Sequence, residues 1–394
     1  MNLKYKLIKK GGNKTMVNQK SLDAVVNGNN KLAFDLYSKY KSEEGNVFFS
    51  PYSISTALAM TYEGAKGKTA EEMQKVLHFP KAAKTKREGF AALYDEINGE
   101  GKKYELSTAN ALWAQKDYQF LKKYFETVEK HYKGKVTNLD FVYETEPSRQ
   151  VINQWVEDET REKIKNLIPQ GCIDPTTRLV LTNAVYFKGN WLKQFDKEKT
   201  KEQNFKTGNS TAKVQMMQLT GEDVKFNYAE NDMTQMVELS YDNKELSMLI
   251  LLPRSGLSEL ENIISNEKLT EWKNCLTEER VDVYLPKFKF ETKYFMVKTL
   301  KEMGMNAAFS NEADFSGMTG AKDLHISNVI HQAFVDVNEE GTEAAAATGV
   351  IIGITCIKPI TTKIFRADHP FIFLIQQNST GNVLFMGRVN NPAG

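Results

Sequence analysis

The sequence is poor in the residues that metal sites, disulfide frameworks and membrane spans require. It has only three cysteines and five histidines among 394 residues, and none stands in a zinc-ligand or paired-cysteine spacing. No stretch approaches the roughly 18 consecutive apolar residues of a membrane-spanning helix. The ten prolines and 24 glycines are scattered, so no flexible linker divides the chain. We therefore expect one large domain without a metal, a disulfide framework or a transmembrane helix.

An excess of charge of one sign is also missing. The 52 basic and 50 acidic residues leave a net charge of +2, which gives no basis for a nucleic-acid partner. Residues 1–20 are basic but lack the apolar core of a secretory signal, and we predict a disordered leader there. Residues 21–394 are predicted to form the single domain. Its compartment, cytoplasmic or exported, stays open.

The motifs of common enzyme classes are absent as well. No G-x-S-x-G or H-E-x-x-H pattern occurs, and "YEGAKGKT" has Tyr62 where a phosphate loop needs glycine. We therefore expect neither an enzyme nor a bound cofactor. A basic cluster follows, for which a solvated helix face is the first interpretation and a polyanion site the alternative. Its members are Lys81, Lys84, Lys86 and Arg87.

The order of the predicted elements favours an α+β fold. Helical periodicity covers residues 21–40, and "SPYSISTALAM", which starts at Ser50, predicts a second helix with proline in its first turn. That helix is apolar on nearly every side, so we expect it to be buried. A third, amphipathic helix is predicted from Ile152 to Pro169. Strand-like runs dominate the second half of the chain, and helices followed by long strands indicate α+β with large sheets.

One histidine lies inside a predicted strand. His331 shares a face with Val329, Ala333 and Val335, so alternation directs its ring toward the core. A buried imidazole needs hydrogen-bond partners, and polar residues also interrupt other apolar runs. We infer a shared buried hydrogen-bond cluster, whose further members are Ser50, Ser53 and Asn183.

The stretch "EEGTEAAAATGVIIG", residues 339–353, combines a helix-favouring alanine run with a β-branched end. Written as a strand from 342 to 352, it places every second side chain on the same face. Its single charge, Glu343, falls on the second face, so the first face could enter a core without burying an ion. The residues of the first face are Thr342, Ala344, Ala346, Thr348, Val350 and Ile352.

Six stretches together resemble the serpin family, in the family's order and over nearly the whole chain from about residue 21. They are "NVFFSPYSISTALAM", "LTNAVYFKGNW", "LPKFKFE", "FSNEADFSGM", "HQAFVDVNEEGTEAAAAT" and "DHPFIFLIQQNSTGNVLFMGRVNNP". The resemblance implies three β-sheets, eight to nine helices and an exposed reactive-centre loop at about 339–365. It also implies a suicide substrate, in which a serine protease cleaves the loop and is trapped as the loop enters the large sheet.

The resemblance assigns roles to particular residues. The shutter, a buried cluster that controls strand separation, would be Ser50, Ser53, Asn183 and His331. The breach, where insertion begins, would be Trp191, Lys287 and Glu339, with a charge pair between the last two. The hinge of the loop would be Glu339, Glu340, Gly341, Thr342, Glu343, Ala344, Ala345, Ala346, Ala347 and Thr348. Counting by the family's usual loop length places the cleaved bond at Thr355–Cys356.

The residues around that bond limit the expected targets. Small and apolar side chains suit elastase-like, subtilisin-like or chymotrypsin-like proteases, and a shift in register would present Ile354 or Cys356 instead. Cysteine proteases are a second expected target class. Cys356 is interpreted as an ordinary bait residue, with control by thiol oxidation as the alternative.

The hinge itself favours an inhibitor. It carries neither a charge at Thr342 nor a proline that would remove a ladder donor, and the alternative is a non-inhibitory carrier, storage or chaperone-type serpin. We expect a monomer that is able to polymerise by inserting its loop into the sheet of another copy.

Overall fold

The computed structural model describes residues 5–10, 13–208, 210–342 and 362–393. Within these ranges the chain forms ten α-helices, the last a single turn, and 18 strands. The helices are α1 (Gln19–Tyr40), α2 (Pro51–Tyr62), α3 (Gly67–Val76), α4 (Ala83–Asn98), α5 (Lys122–Tyr132), α6 (Thr145–Glu159), α7 (Leu257–Ile263), α8 (Asn266–Lys273), α9 (Val297–Glu302) and α10 (Ser316–Thr319). None of these helices is long and apolar enough to cross a membrane.

The strands divide into a hairpin and two large sheets. They are β1 (Tyr5–Lys10), β2 (Asn13–Asn18), β3 (Val47–Phe49), β4 (Tyr104–Gln115), β5 (Lys135–Leu139), β6 (Leu179–Asn190), β7 (Lys201–Thr207), β8 (Ser210–Leu219), β9 (Lys225–Glu230), β10 (Thr234–Ser240), β11 (Leu246–Pro253), β12 (Thr277–Pro286), β13 (Phe288–Phe295), β14 (Asn328–Val337), β15 (Gly341–Thr342), β16 (Lys363–Arg366), β17 (Phe371–Gln377) and β18 (Val383–Val389). The segment predicted as a disordered leader contains β1 and β2, which pair antiparallel.

The six-stranded sheet has the order β13-β14-β15-β6-β4-β5. The ten-stranded sheet consists of two parts that share β12, because the first half of β12 pairs with β9 and its second half with β8 and β16. With these two parts counted separately, the large sheets number three, as the serpin resemblance implies. The α+β prediction is confirmed.

The buried helix α2 was predicted correctly. It begins at Pro51 after Ser50, whose hydroxyl accepts a hydrogen bond from the backbone N–H of Ser53. An N-cap of this kind satisfies one of the amide groups that a helix start leaves without a partner. Eleven of its residues are buried, so the helix lies inside the main core, against β6 and β18.

The third predicted helix has different bounds. The structure gives α6 as Thr145–Glu159, so the prediction began seven residues late and ran past the observed end. Arg161 and Glu162 have positive φ angles of 52° and 60°, which an α-helix does not accept. The apolar residues that suggested the longer helix are buried all the same, beneath α6 on the outer face of the six-stranded sheet.

Candidate functional site

Three polar side chains form a row across the six-stranded sheet. The register pairs Asn110 of β4 with Asn183 of β6, and Asn183 with His331 of β14. All three are at least nine-tenths buried. Neighbouring strands therefore bring these side chains together, because residues in register on one face of a sheet lie side by side.

The row continues into the start of α2. The amide of Asn183 donates to the Ser53 hydroxyl at 2.5 Å and also to the amide oxygen of Asn110. The Ser53 hydroxyl donates to that same oxygen at 3.3 Å, and the Ser50 hydroxyl donates to the carbonyl of Leu384 at 2.7 Å. The four residues assigned to the shutter are thus in contact, and Asn110 joins them.

The contacts of His331 fix its tautomer. Its Nε2 accepts from the backbone N–H of Ser50 at 3.1 Å, so Nδ1 carries the proton and donates to the amide oxygen of Asn183. A protonated ring would have a second donor facing the Ser50 N–H. Burial lowers the pKa of His331 to about 3, so the ring is neutral near neutral pH.

Acid should weaken this cluster, and the effect has a defined pH window. The folded pKa of about 3 lies below the ordinary value of 6.5, so the unfolded chain takes up a proton that the folded protein refuses. The contribution of the neutral His331 ring to stability is fully present above about pH 6.5. As the pH drops toward 3, the free energy of unfolding falls by about 1.4 kcal/mol per pH unit for one proton. We expect a loss of about 2 kcal/mol between pH 7 and pH 5.

Urea unfolding at pH 7, 6 and 5 tests this prediction. His331→Asn removes the titrating ring, so its loss of stability over the same interval should be smaller than that of the unmodified protein by about 2 kcal/mol. Ser53→Ala, which keeps the ring, is the matched control and should retain the full pH dependence. An equal loss of unfolding free energy between pH 7 and pH 5 in His331→Asn and Ser53→Ala would contradict the prediction.

Beyond this row, β14 and β6 are separated from each other by a third strand. β14 and β6 pair directly and in parallel over seven residue pairs, up to Phe334 and Tyr186. Further along, β15 lies between them: Thr342 pairs with Val337 of β14 and with Gly189 of β6. The beginning of the predicted hinge therefore occupies the position of a central strand already.

Close packing explains the residue types at this start. A Cβ added to Gly341 would lie 2.1 Å from the carbonyl oxygen of Gly189, so only glycine fits. Thr342 is 1% exposed, and its hydroxyl is 2.7 Å from that of Tyr241. The ring of Tyr241 stacks on Trp191 at 4.6 Å. The position next to β6 thus accepts a small, uncharged side chain.

The residues before β15 are held at the edge of the sheet. The indole of Trp191 donates to the carbonyl of Asn338 at 3.0 Å, and its backbone N–H donates to that of Glu340 at 2.9 Å. Lys287 forms an ion pair with Glu339 at 2.9 Å, and Thr200 donates to the same carboxylate at 2.8 Å. The three breach residues are therefore close together.

The carboxylate of Glu339 stays ionised although it is only 5% exposed. Burial by itself would raise its pKa, but hydrogen bonds from Lys287, from the Glu339 backbone and from Thr200 outweigh burial and lower the pKa. Beside it, Lys197 pairs with Glu340. Two ion pairs thus fix the turn between β14 and β15.

The basic cluster does not form one exposed patch. Lys86, predicted on a solvated face, is 1% exposed, with its ammonium group 3.0 Å from the carboxylate of Glu63. Arg87 binds the other oxygen of Glu63 at 2.6 Å, and Tyr132 donates to the first oxygen at 2.6 Å. Burial lowers the pKa of Lys86 to about 8. Glu63 therefore neutralises much of the cluster, which argues against a four-cation polyanion site.

Sequence reasoning missed several members of the site. Asn110 carried the same signal as Asn183, a polar residue inside the apolar run "ANALWA". Nothing in the sequence distinguishes Tyr241, Thr200 or Lys197, because their roles depend on a fold that brings distant segments together. The remaining predicted positions, from Glu343 to Thr348 and at Thr355 and Cys356, lie outside the described residues.

Comparison with known proteins supports the resemblance read from the sequence. A family model described as serpin (serine protease inhibitor) matches residues 27–392. Serpin B3 of Homo sapiens is 43% identical over 394 residues, which cover 94% of this chain and 100% of that protein.

Solved structures give the same result for the fold. Serpin48 of the insect Tenebrio molitor is similar with a TM-score of 0.83 and 34% identity, over 93% of this chain and 98% of that one. Human thyroxine-binding globulin, solved in complex with thyroxine, has a TM-score of 0.86 at 32% identity, over 94% of this chain and 99% of that one.

Proposed function

This chain belongs to the serpin family, and we propose that it is an inhibitory member that traps serine proteases as a suicide substrate. In this proposal the protease serine attacks the carbonyl carbon of Thr355, and the amine of Cys356 leaves. The chain is then joined to the protease by an ester at Thr355 and is no longer connected to Cys356. Residues 342–352 enter the six-stranded sheet between β14 and β6 and carry the protease with them before water cleaves the ester.

The buried position of Thr342 carries the proposal. Its pairing with both β14 and β6 supports a longer strand at the same place, and its inward side chain would set the register. Since side chains alternate along a strand, positions 344, 346 and 348 would follow Thr342 into the core as Ala, Ala and Thr. Glu343 would point to the opposite face, so no charge has to enter the core.

The joint between β14 and β6 is suited to opening. Insertion breaks the seven parallel pairs between them and separates His331 from Asn183, whose hydrogen bond spans the joint. A new strand is hydrogen-bonded along both of its edges, so insertion forms more hydrogen bonds than it breaks. Before cleavage, when the loop is held at both ends, no new ladders form, so the hydrogen bonds of the cluster at His331 oppose opening.

A set of proteases tests the proposal directly. The protein is mixed with subtilisin, elastase, chymotrypsin and trypsin, and denaturing gels are examined for a band of the summed masses. We expect this band with one or more of the first three proteases, because the residues around Thr355 are small and apolar. Mass spectrometry of the released C-terminal peptide then identifies the cleaved bond.

Two controls make the result decisive. A protease whose catalytic serine is replaced by alanine should give no covalent band, because it has no group to form the ester. Cleavage within residues 343–361 by all four proteases, with no covalent band from any, would contradict inhibition and favour the non-inhibitory alternative. A cysteine protease added to the same panel tests the second target class.

A further inference from the structure

A cavity of about 190 Å³ lies next to the breach. One wall is the segment from Trp191 to Phe195, and the opposite wall is formed by β9 and the end of β10. This volume is larger than the cavity of about 150 Å³ that is known to hold benzene, so there is room for an aromatic ring. Trp191, Phe195 and Leu239 are at most 5% exposed and form apolar lining, while Leu192 is 41% exposed at the rim.

Among the charged side chains of the cavity, lysines outnumber carboxylates. Lys193, Lys225 and Lys244 line it, together with Glu238 and Glu278. The ammonium group of Lys193 lies 5.3 Å from the ring centre of Phe226 and donates to the carbonyl of Lys225 at 2.8 Å. Burial lowers the pKa of Lys193, Glu278 partly offsets this, and Lys225 and Lys244 lower the pKa further. Lys225 and Lys244 therefore each repel the ammonium group of Lys193.

The two carboxylates do not remove this excess. Glu238 already accepts hydrogen bonds from Asn227 at 2.7 Å and Ser247 at 2.8 Å, and also from Gln376. Glu278 attracts Lys193 and lies 3.8 Å from Lys225, but its side chain is 69% exposed, so water screens both interactions. An anionic group placed among the three lysines would relieve the repulsion on Lys193, while an apolar ring fills the space beside it.

We propose that this cavity, lined by Trp191, Lys193 and Lys244, binds a small amphiphilic anion that has an aromatic ring system and one carboxylate or sulfonate group. The ring system packs in the cavity, and the anionic group faces the lysines at its mouth. The site is separate from the reactive-centre loop, and its ligand binds whether or not the protein inhibits proteases.

The position of the cavity couples the ligand to the hinge. The backbone N–H of Trp191 donates to the carbonyl of Glu340, and that of Phe195 donates to the carbonyl of Glu339 at 2.8 Å. The same segment is a wall of the cavity, so a ligand packed against it favours the arrangement in which these bonds are intact. Ligand binding should therefore slow the uptake of a hinge-like peptide into the six-stranded sheet.

Two fluorescent probes that differ only in charge test the proposal. The anionic probe is 1-anilinonaphthalene-8-sulfonate, and the neutral probe, N-phenyl-1-naphthylamine, has the same rings without the sulfonate. We expect saturable binding of the anionic probe with an affinity about fivefold or more above that of the neutral one, from about 1 kcal/mol of charge interaction. Equal affinity of the two probes would overturn the assignment of an anion.

Substitutions locate the binding. Ser240→Trp fills the cavity and should abolish saturable binding, and Lys193→Met with Lys244→Asn should weaken the anionic probe about fivefold while leaving the neutral probe unchanged. Asparagine suits position 244, where φ is +55°. Lys298→Asn, an exposed lysine on α9, is the matched control and should bind as the unmodified protein does. Unchanged binding in the Lys193/Lys244 variant would overturn the site, even if Ser240→Trp fails to fold.

Discussion

Cleavage of the reactive-centre loop is expected to raise the midpoint of thermal unfolding by roughly 6–18 °C from backbone hydrogen bonds alone. Insertion of residues 343–352 adds a strand with ladders on both edges and breaks the seven pairs between β14 and β6. The net gain is on the order of ten hydrogen bonds, or about 5–15 kcal/mol. Unfolding entropy is about 2.1 cal/mol/K per residue, or roughly 0.8 kcal/mol/K for 394 residues. Dividing the gain in free energy by this entropy gives the shift of the midpoint.

Calorimetry of the intact and the cleaved protein measures this shift. Cleavage is done at low protease concentration, and mass spectrometry confirms that one bond near Thr355 is cut. The control is intact protein carried through the same steps with the inactivated protease. Burial of the side chains at 344, 346 and 348 should add to the increase. An unchanged midpoint in a fully cleaved sample would show that the loop does not insert, whatever the protease does.

The sequence could predict those features of the site that depend on the alternation of side chains along a strand. His331 was assigned to the core face because its strand neighbours are apolar at every second position, and it is 0% exposed. Its partners were inferred as polar residues in apolar runs, yet the sequence does not give the register between strands. The structure supplies that register, and with it Asn110, which lies opposite Asn183.

Helix ends and ionic contacts were less predictable, for reasons that are also physical. After Glu159 the backbone N–H of Ile164 bonds to the hydroxyl of Thr160, and that of Ile168 bonds to Asn153 at 2.8 Å. These side chains satisfy the backbone without a helix, so apolar spacing alone overestimated α6. Likewise, the buried Lys86 depends on Glu63 at the end of α2, a partner 23 residues away that only the tertiary fold brings within reach.

Replacing Thr342 with arginine is expected to convert the inhibitor into a substrate. Thr342 is 1% exposed, and its hydroxyl meets that of Tyr241 in a space sized for threonine. An arginine there has to bury an unpaired charge and a larger side chain, at a cost of about 3–5 kcal/mol. Since about 1.4 kcal/mol changes a rate tenfold, insertion should slow by roughly a hundredfold or more.

That slowing decides the fate of the acyl-enzyme, because insertion competes with hydrolysis of the ester. When hydrolysis is faster, the protease leaves active and the chain leaves cleaved. We expect Thr342→Arg to be cut at the same bond as the unmodified protein, and the number of chains consumed per protease inhibited should rise at least about tenfold. Titration against a protease of known active-site concentration measures this number, and the covalent band on gels should fade in parallel.

Thr342→Val separates the effect of losing the hydroxyl from the effects of added charge and size. Valine has nearly the shape of threonine, so this variant loses only the contact with Tyr241, which costs about 1 kcal/mol, and it should still form the covalent complex. The native fold of Thr342→Arg should persist, since withdrawal of the two-residue β15 exposes the new side chain to water. If the arginine and valine variants inhibited with equal stoichiometry, entry of position 342 into the sheet would not be a required step, and the trapping mechanism proposed for this chain would fail.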